Sequence, residues 1–152
     1  DCFLPSKNPQ VYMTVHEGRE DEYGMRLVYE ELSWRCREVT FHIYGIKENN
    51  RRNIVFHGRV SEKQFNEETR WFHAALRLNE FDGFSETVAR SVLIGHYPIS
   101  RIYYPKIDSF IDVDDLVYKI NALAKKQDLN YARYYWYQTL EKNLNFLLRI
   151  GE

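Results

Sequence analysis

The sequence is poor in the residues and segments that mark small secreted, metal-bound or membrane proteins. It holds two cysteines and four prolines in 152 residues. Cys2 and Cys36 could form one bridge, but they make no disulfide scaffold and cannot alone complete a structural zinc site, so unpaired structural thiols are expected. No apolar run reaches the roughly 18 residues of a membrane-spanning helix. Residues 1–10 lack the basic and apolar blocks of a signal peptide, which predicts an intracellular, cytoplasmic protein with no membrane contact.

An excess of charge of one sign is also missing. The formal net charge is −1, from 21 basic and 22 acidic residues. This balance gives no overall electrostatic attraction to nucleic acids or anionic membranes. Walker-type and GxGxxG loops are absent, as are GxSxG and HExxH motifs. We therefore expect no cofactor and no metal.

Aromatic residues are abundant and account for 16% of the chain, within an apolar content of 44%. Side chains of this kind bury large areas and favour strands and interfaces. The length suits one domain. The sequence therefore predicts a single folded domain with a substantial core.

The prediction of the fold starts from a strand pair over 37–60. Its two apolar–polar alternating arms flank a polar stretch around Asn49 and Asn50, which is typical of a hairpin. In this register Ile43 lies opposite Phe56. Alternation over 11–16 and, less cleanly, over 23–34 predicts two earlier strands. The first part of the chain is thus predicted to form a four-stranded antiparallel meander.

Helical spacing replaces alternation after residue 60. It predicts helices over 62–79, from Ser85 to Gly95, after Asp112, and over 131–149 following Asn130. The segment 96–104 is predicted as a loop or a short edge strand. Carboxylates in a first helical turn favour capping over metal binding, which applies to Asp108, Asp112, Asp114 and Asp115. The predicted fold class is α+β, with the sheet in 10–60 and about four helices in 61–152 packed on one face.

Two histidines form the only paired chemistry. The hairpin places His42 opposite His57, at a separation where two imidazoles can divide acid and base roles. Arg59 on the same face could hold a phosphate, and Tyr44 could position a hydroxyl. These residues suit metal-independent cleavage of RNA by a ribonuclease or phosphodiesterase, which is one alternative function. A structural pair of histidines is the other interpretation of the same residues.

Basic residues at the predicted hairpin tip suggest a second alternative. Lys47, Arg51 and Arg52 could grip the backbone of RNA or single-stranded DNA. The rest of the chain is not basic, so an ordinary solvated turn explains the same residues.

The favoured function is non-catalytic binding of another protein, as an adaptor, an inhibitor or an immunity-type neutraliser. Tyrosine and tryptophan are enriched at interface hot spots, and an exposed aromatic patch usually marks an interaction site. Acidic segments over 17–22 and 108–115 could face a basic partner. The candidate partner-binding residues lie in the last helix and in the 96–104 segment: Tyr131, Tyr134, Tyr135, Trp136, Tyr103 and Tyr104.

Overall fold

A computed structural model of the chain describes residues 8–81 and 83–150, with the backbone alone over 144–150. Its centre is a six-stranded sheet in the spatial order β3-β2-β1-β4-β5-β6, and every strand pair in it is parallel. This is the strand order of doubly wound α/β sheets. The strands are β1 (Gln10–Thr14), β2 (Thr40–Tyr44), β3 (Ile54–Gly58), β4 (Ala74–Arg77), β5 (Ile99–Ser100) and β6 (Asp108–Ser109).

Helical segments connect these strands and follow the last one. Between β1 and β2 the short turns α1 (Met25–Leu27) and α2 (Ser33–Arg35) flank a π-helical stretch, Val28–Leu32. The longer helices are α3 (Glu62–Thr69), α4 (Glu86–Leu93), α5 (Val113–Ala122), which continues as a 3₁₀ turn over Leu123–Lys125, and α6 (Ala132–Ile150). Over the described residues, no helix combines the length and apolarity needed to cross a membrane.

The predicted antiparallel meander and the α+β class are wrong, because the sheet is parallel and alternates with helices. Apolar–polar alternation assigns side chains to faces but is the same for both strand directions. Ile43 and Phe56 are indeed neighbours, yet their strands run the same way. The segment 45–53 carries the chain back to the end of the sheet where β2 begins, so that β3 runs in the same direction as β2. Parallel connections usually need about a dozen residues or more, and this one is shorter. Backbone N–H groups of Phe41 and Gly58 donate to the carbonyls of Asn53 and Ile46 at its two ends.

Two predicted elements differ from the structure for local reasons. The segment 23–34, predicted as a strand, is helical from Met25 onwards, and buried residues in it and just after it recur at helical spacing: Met25, Val28, Leu32 and Cys36. The helix predicted over 62–79 ends at Thr69, and the chain then enters β4. Leu76, which extends the helical pattern in the sequence, is instead a buried strand residue of the main core.

The predicted helix caps are confirmed. The Ser85 hydroxyl accepts from the Val88 N–H, and an Asp112 carboxylate oxygen accepts from the Asp115 N–H at 2.8 Å. The side-chain oxygen of Asn130 accepts from the Ala132 N–H at 2.9 Å, where α6 begins. Capping therefore accounts for Asp112 of the acidic group, and within the described residues no three potential ligands come together as a metal site.

Helices cover both faces of the sheet, and not one face as predicted. One face carries the main core, which includes Val11, Phe41 and Ile43, and it packs against the 25–35 segment and α5. The opposite face presents Tyr12 and Tyr44 beneath α3, whose Phe65 contacts both rings. Placing helices on both faces buries both sides of every central strand, as a parallel sheet requires.

Cys36 belongs to the main core. It is a buried free thiol, and burial raises its pKa to about 11. A thiol in this state is unreactive at neutral pH. Cys2 lies outside the described residues.

Candidate functional sites

The two predicted histidines meet on the sheet face that α3 covers. His42 Nδ1 lies 2.8 Å from His57 Nε2. A β-bulge in β3 leaves His57 as the extra residue between Phe56 and Gly58, which are both paired with β2. Bulges re-aim side chains, and this one turns the His57 ring towards its neighbour.

Gln10 sets the direction of the hydrogen bonds. Its side-chain N–H donates to the carbonyl of Asn8, so its oxygen faces His42 Nε2 at 2.6 Å and accepts from it. His42 Nδ1 therefore accepts a hydrogen bond from His57 Nε2–H. The remaining nitrogen of His57, Nδ1, then carries a lone pair and lies 3.5 Å from a carboxylate oxygen of Glu68, so this contact becomes an ion pair only when His57 is protonated. The result is a row of polar groups that extends from β1 through β2 and β3 to α3 and is hydrogen-bonded as far as His57.

Glu68 lies at the α3 end of these polar groups and accepts hydrogen bonds from two side chains. The Tyr44 hydroxyl donates to one of its carboxylate oxygens at 2.7 Å, and the Gln64 amide donates to the other at 2.8 Å. Burial raises the pKa of Glu68, but these hydrogen bonds and the nearby histidines outweigh it and leave the pKa below its ordinary value. The Tyr44 ring also stacks on the His57 ring at 4.3 Å. A carboxylate, a phenol and two imidazoles are thus held in one connected group.

Burial controls the protonation of the two histidines. Burial, aided by the neighbouring His57, lowers the pKa of His42 to about 4, although Glu68 opposes the shift. Burial also lowers the pKa of His57, although Glu68 opposes this. Both rings are therefore neutral near pH 7, and Phe72 stacks on His42 at 4.3 Å. Neutral imidazoles in contact can relay a proton, but aromatic rings restrict access to this pair.

Arg59 stands apart from this group. Its side chain is 80% exposed, and its nearest ionic partner is Glu17 at 3.8 Å. The structure therefore unites His42, His57 and Tyr44 of the predicted catalytic set but leaves Arg59, the predicted phosphate-binding cation, apart from them. RNA cleavage by these residues stays a prediction.

The predicted nucleic-acid-binding residues lie in the 45–53 connection, which is not a hairpin tip. Arg51 pairs with Glu48 and lies over the Tyr29 ring at 4.6 Å. Arg52 lies over the ring of Trp34. Lys47 is exposed beside the end of β3. Two of the three cations are thus held against aromatic rings of the chain itself, and nucleic-acid binding by this segment also stays a prediction.

Three predicted partner-binding tyrosines lie on one outward side at the start of α6, with Tyr131 directly before its first residue. Tyr131, Tyr134 and Tyr135 are 78%, 52% and 41% exposed. At about 100° of rotation per residue, they fall within one arc of the helix surface. The Tyr131 and Tyr134 rings are 6.2 Å apart. We call these three residues the tyrosine face.

Two other predicted partner-binding residues are buried instead. Trp136 is 6% exposed and Tyr104 is 8% exposed, and their rings pack against each other in the cluster that joins α4 to α6. The Trp136 indole N–H donates to the carbonyl of Pro105 at 2.9 Å. Trp136 therefore anchors α6, while Tyr103 beside Tyr104 stays 73% exposed. Composition alone could not separate the anchor from the exposed rings, but their helical angles could.

A cleft at the carboxyl end of the sheet was missed by the sequence analysis. It has a volume of about 500 Å³ and is lined by residues 21–24, in the segment that follows β1, and by residues just after β4 and β5. The strand order reverses between β1 and β4, and ligands of open α/β sheets bind in the crevice outside such a point. No phosphate-binding loop marks it in the sequence, and the predicted helix over 62–79 concealed β4. Its lining includes Asp21, Glu22, Asn79, Glu80, Phe81 and Arg101.

Comparisons with known proteins identify the fold alone. No family model matches the chain, and no curated protein shows significant similarity to it. A solved structure does match, described as the crystal structure of a GtfA/B complex, with a TM-score of 0.61 and 17% sequence identity. The match covers 92% of this chain and 34% of that one, so this chain spans about a third of the similar protein. The likeness supports the α/β architecture.

Proposed function

We propose that this chain works by binding another protein through the tyrosine face of α6. The observation that carries the proposal is the difference in burial between the two sides of this helix. Trp136 holds one side of it in the core, while Tyr131, Tyr134 and Tyr135 present their rings to solvent on the other.

Exposed aromatic rings at this density have an energetic cost for a free protein. Each ring leaves apolar area in water that burial would stabilise by about 25 cal/mol per Å². Tyrosine and arginine are both enriched at protein interfaces, and here Arg133 lies over the Tyr134 ring at 4.9 Å. A partner surface that covers the tyrosine face would recover this area and leave the phenol hydroxyls free to form hydrogen bonds at its rim.

The charges beside the tyrosine face favour protein over nucleic acid as the partner. The exposed residues next along the helix are Tyr137, Gln138, Glu141, Lys142 and Asn143, of which one is acidic and one is basic. Nucleic-acid sites combine aromatic rings with a clear excess of cations. This balanced surface suits an amphipathic protein surface better.

The similar solved structure lends this proposal limited support. The description of that protein states that it is part of a complex, so a unit of this fold occurs within a protein that associates with another. For the present chain, adaptor, inhibitor and immunity-type neutraliser are the forms such a role would take.

Affinity capture followed by calorimetry tests the proposal. The bait is the full chain, compared with the triple variant Tyr131→Ser, Tyr134→Ser and Tyr135→Ser. We expect a saturable complex with the full chain and a loss of affinity of at least about a hundredfold in the triple variant, as hot-spot residues show. Because all three side chains are exposed, the variant should stay folded, which circular dichroism checks.

Tyr118→Ser is the matched control. Tyr118 is 73% exposed on α5, away from the tyrosine face, so its loss should leave the affinity unchanged. Equal binding by the triple variant would contradict the proposal, as would self-association of the chain through the same residues. RNA cleavage that disappears in His57→Ala, without any stable protein complex, would favour the ribonuclease alternative instead.

A further inference from the structure

We propose that a hollow at the amino ends of β2 and β3 binds a small organic molecule that carries a phosphate monoester group. The hollow is lined by Ser33, Trp34, Arg37, Arg52 and Asn53. The inference is independent of the tyrosine face. It rests on two arginines with unused hydrogen-bond donors, on the charge of the lining, and on a half-exposed tryptophan ring.

Two segments that precede neighbouring parallel strands form the hollow, 33–37 before β2 and 52–53 before β3. Its volume is about 480 Å³. Small-molecule sites commonly measure roughly 300–1,000 Å³. The Asn53 side-chain N–H groups donate to the carbonyls of Cys36 at 3.0 Å and Val39 at 2.7 Å. These bonds hold the segment that carries Arg37 against the start of β3, so the hollow has a fixed frame.

Arg52 contributes a guanidinium with unused donors. It lies over the Trp34 ring, which engages the flat face of the group. The five N–H groups of a guanidinium lie in its plane and remain available beside such a stack. Among the described residues, no acceptor bonds to these N–H groups. An anion in the plane of the guanidinium would satisfy two of them at once.

Arg37 adds a second guanidinium to the same lining. Its Nε–H donates to the carbonyl of Trp34 at 3.2 Å, which orients the side chain. Its terminal amino groups have no acceptor within the described part of the chain. A phosphate monoester has a charge of about −1.5 to −2 at pH 7 and three acceptor oxygens. Two guanidiniums match this charge.

Carboxylates do not neutralise the two arginines, as far as the structure describes the chain. Of the acidic side chains in the adjoining segments, Glu31 is paired with Arg35. Glu48 is likewise paired with Arg51. Glu38 is exposed and does not line the hollow. The lining therefore carries two positive charges and no negative one, which attracts an anion and repels a cation.

Trp34 indicates an organic group beside the phosphate. It stays 51% exposed although Arg52 lies over its ring. Aromatic rings contribute large apolar areas to binding sites, and this one forms the apolar wall of the hollow. A ligand with a ring next to its phosphate would contact both the wall and the guanidiniums.

A nucleic-acid strand fits the hollow less well than a small molecule does. Nucleic-acid sites place several cations along the path of the backbone. Here Lys47 lies beside Gly58 at the carboxyl end of β3, whereas Arg52 precedes the amino end of the same strand. The five residues of the strand correspond to roughly 16 Å. Lys47 therefore lies outside the hollow, and the two arginines suit one compact anion.

An NMR titration of the ¹⁵N-labelled full chain tests the inference. The probe is phenyl phosphate, compared with inorganic phosphate, which lacks the ring, and with phenol, which lacks the phosphate. We expect phenyl phosphate to shift the Trp34 indole N–H and the Arg37 and Asn53 amides in a saturable way, with a dissociation constant on the order of 1 mM. Inorganic phosphate should bind about threefold more weakly, the effect of one aromatic contact, and phenol should not saturate these signals.

Three variants localise the binding. Arg37→Gln and Arg52→Gln should each weaken phenyl phosphate binding about tenfold, the effect of one charged hydrogen-bonding partner. Both side chains are exposed, so the variants should stay folded, which their amide spectra check. Arg19→Gln is the matched control, because Arg19 is an exposed arginine in the segment after β1, at the carboxyl end of the sheet. It should leave the affinity unchanged.

Four results would overturn the inference. One is the lack of saturation by phenyl phosphate in the folded protein. Another is an equal affinity for inorganic phosphate or for phenol, which would show a bare anion site or an apolar site. The third is an equal loss of affinity in Arg19→Gln and in the two variants of the hollow, which would show diffuse attraction to surface charge. The last is tighter binding of a single-stranded RNA oligonucleotide that also shifts the Lys47 and Arg51 amides, which would show a nucleic-acid site.

Discussion

His57 donates a hydrogen bond to His42 at 2.8 Å, and aromatic rings flank the pair. Phe72 stacks on His42, and Tyr44 stacks on His57. Because these rings are buried away from water, a proton added to either one creates a charge that water cannot solvate. Protonation of the folded protein therefore costs free energy. This relationship makes the fold sensitive to acid whatever further role the histidines have.

Stability should fall as the pH drops from about 6.5 to about 4. An unfolded histidine has a pKa of about 6.5, whereas burial holds the pKa of His42 at about 4 in the fold. Above pH 6.5 His42 is neutral in both the folded and the unfolded protein, so it adds no pH dependence to the free energy of unfolding. Between the two values the unfolded state binds more protons, so the free energy of unfolding decreases with falling pH. Urea unfolding at pH 7.5, 5.5 and 4.5 measures this decrease.

The variant His42→Gln should reduce that pH dependence without abolishing it. The remainder comes from His57, His73 and His96, because burial lowers the pKa of each of them, that of His96 to about 4. A free energy of unfolding that does not change between pH 7.5 and 4.5 would contradict the burial of these rings.

Asn79→Leu should stabilise the protein. The substitution replaces an amide whose oxygen is buried without a hydrogen-bond partner among the described residues by an apolar side chain of similar size, and we expect a gain of about 1 kcal/mol in the free energy of unfolding. Asn53→Leu is the matched control, because the Asn53 oxygen is in the same state but its amide N–H groups donate to the carbonyls of Cys36 and Val39. That variant should lose about 2 kcal/mol. Chemical denaturation of the two variants beside the parent chain decides the matter, and a destabilised Asn79→Leu would show that the amide is satisfied.

Removing the α6 anchor should cost far more than removing a tyrosine. Trp136→Ala empties a site in the cluster between α4 and α6 and should cost about 3–5 kcal/mol. Tyr134→Ala truncates a half-exposed ring and should change stability by less than about 0.5 kcal/mol. Thermal denaturation of both variants tests the orientation of the helix. Equal losses would mean that the tyrosine face is packed and not exposed.

Gly45→Ala should disrupt the carboxyl end of the sheet. Gly45 has a φ of +101°, and a Cβ there would lie 2.0 Å from the Val15 carbonyl oxygen, which belongs to the backbone and cannot move aside. We expect a loss of more than about 3 kcal/mol. Gly18→Ala serves as a control for conformational strain alone, because its φ is +80° but nothing lies within 4 Å of the added atom. It should cost about 1 kcal/mol, measured by urea unfolding.

Local patterns in the sequence were more informative than its long-range pairing. Capping by Ser85 and Asp112 was predictable because each cap depends on residues three positions apart. The contact between His42 and His57 was also predicted, since alternation places both on one face whichever way the strands run, but the predicted pairing is wrong because His42 lies opposite Val55. Strand direction was not predictable, because it depends on how the 45–53 segment crosses the sheet. The cleft at Asn79 forms where parallel strands end at the same edge of the sheet, so the antiparallel prediction could not include it.

Footprinting of tyrosine reactivity in the captured complex decides whether the tyrosine face of α6 contacts a protein partner. We expect complex formation to protect Tyr131, Tyr134 and Tyr135 from a tyrosine-selective reagent and to leave Tyr118 on α5 as reactive as in the free chain. Unchanged reactivity of the tyrosine face, with protection of Tyr118 or of the 45–53 segment instead, would mean that the partner binds elsewhere.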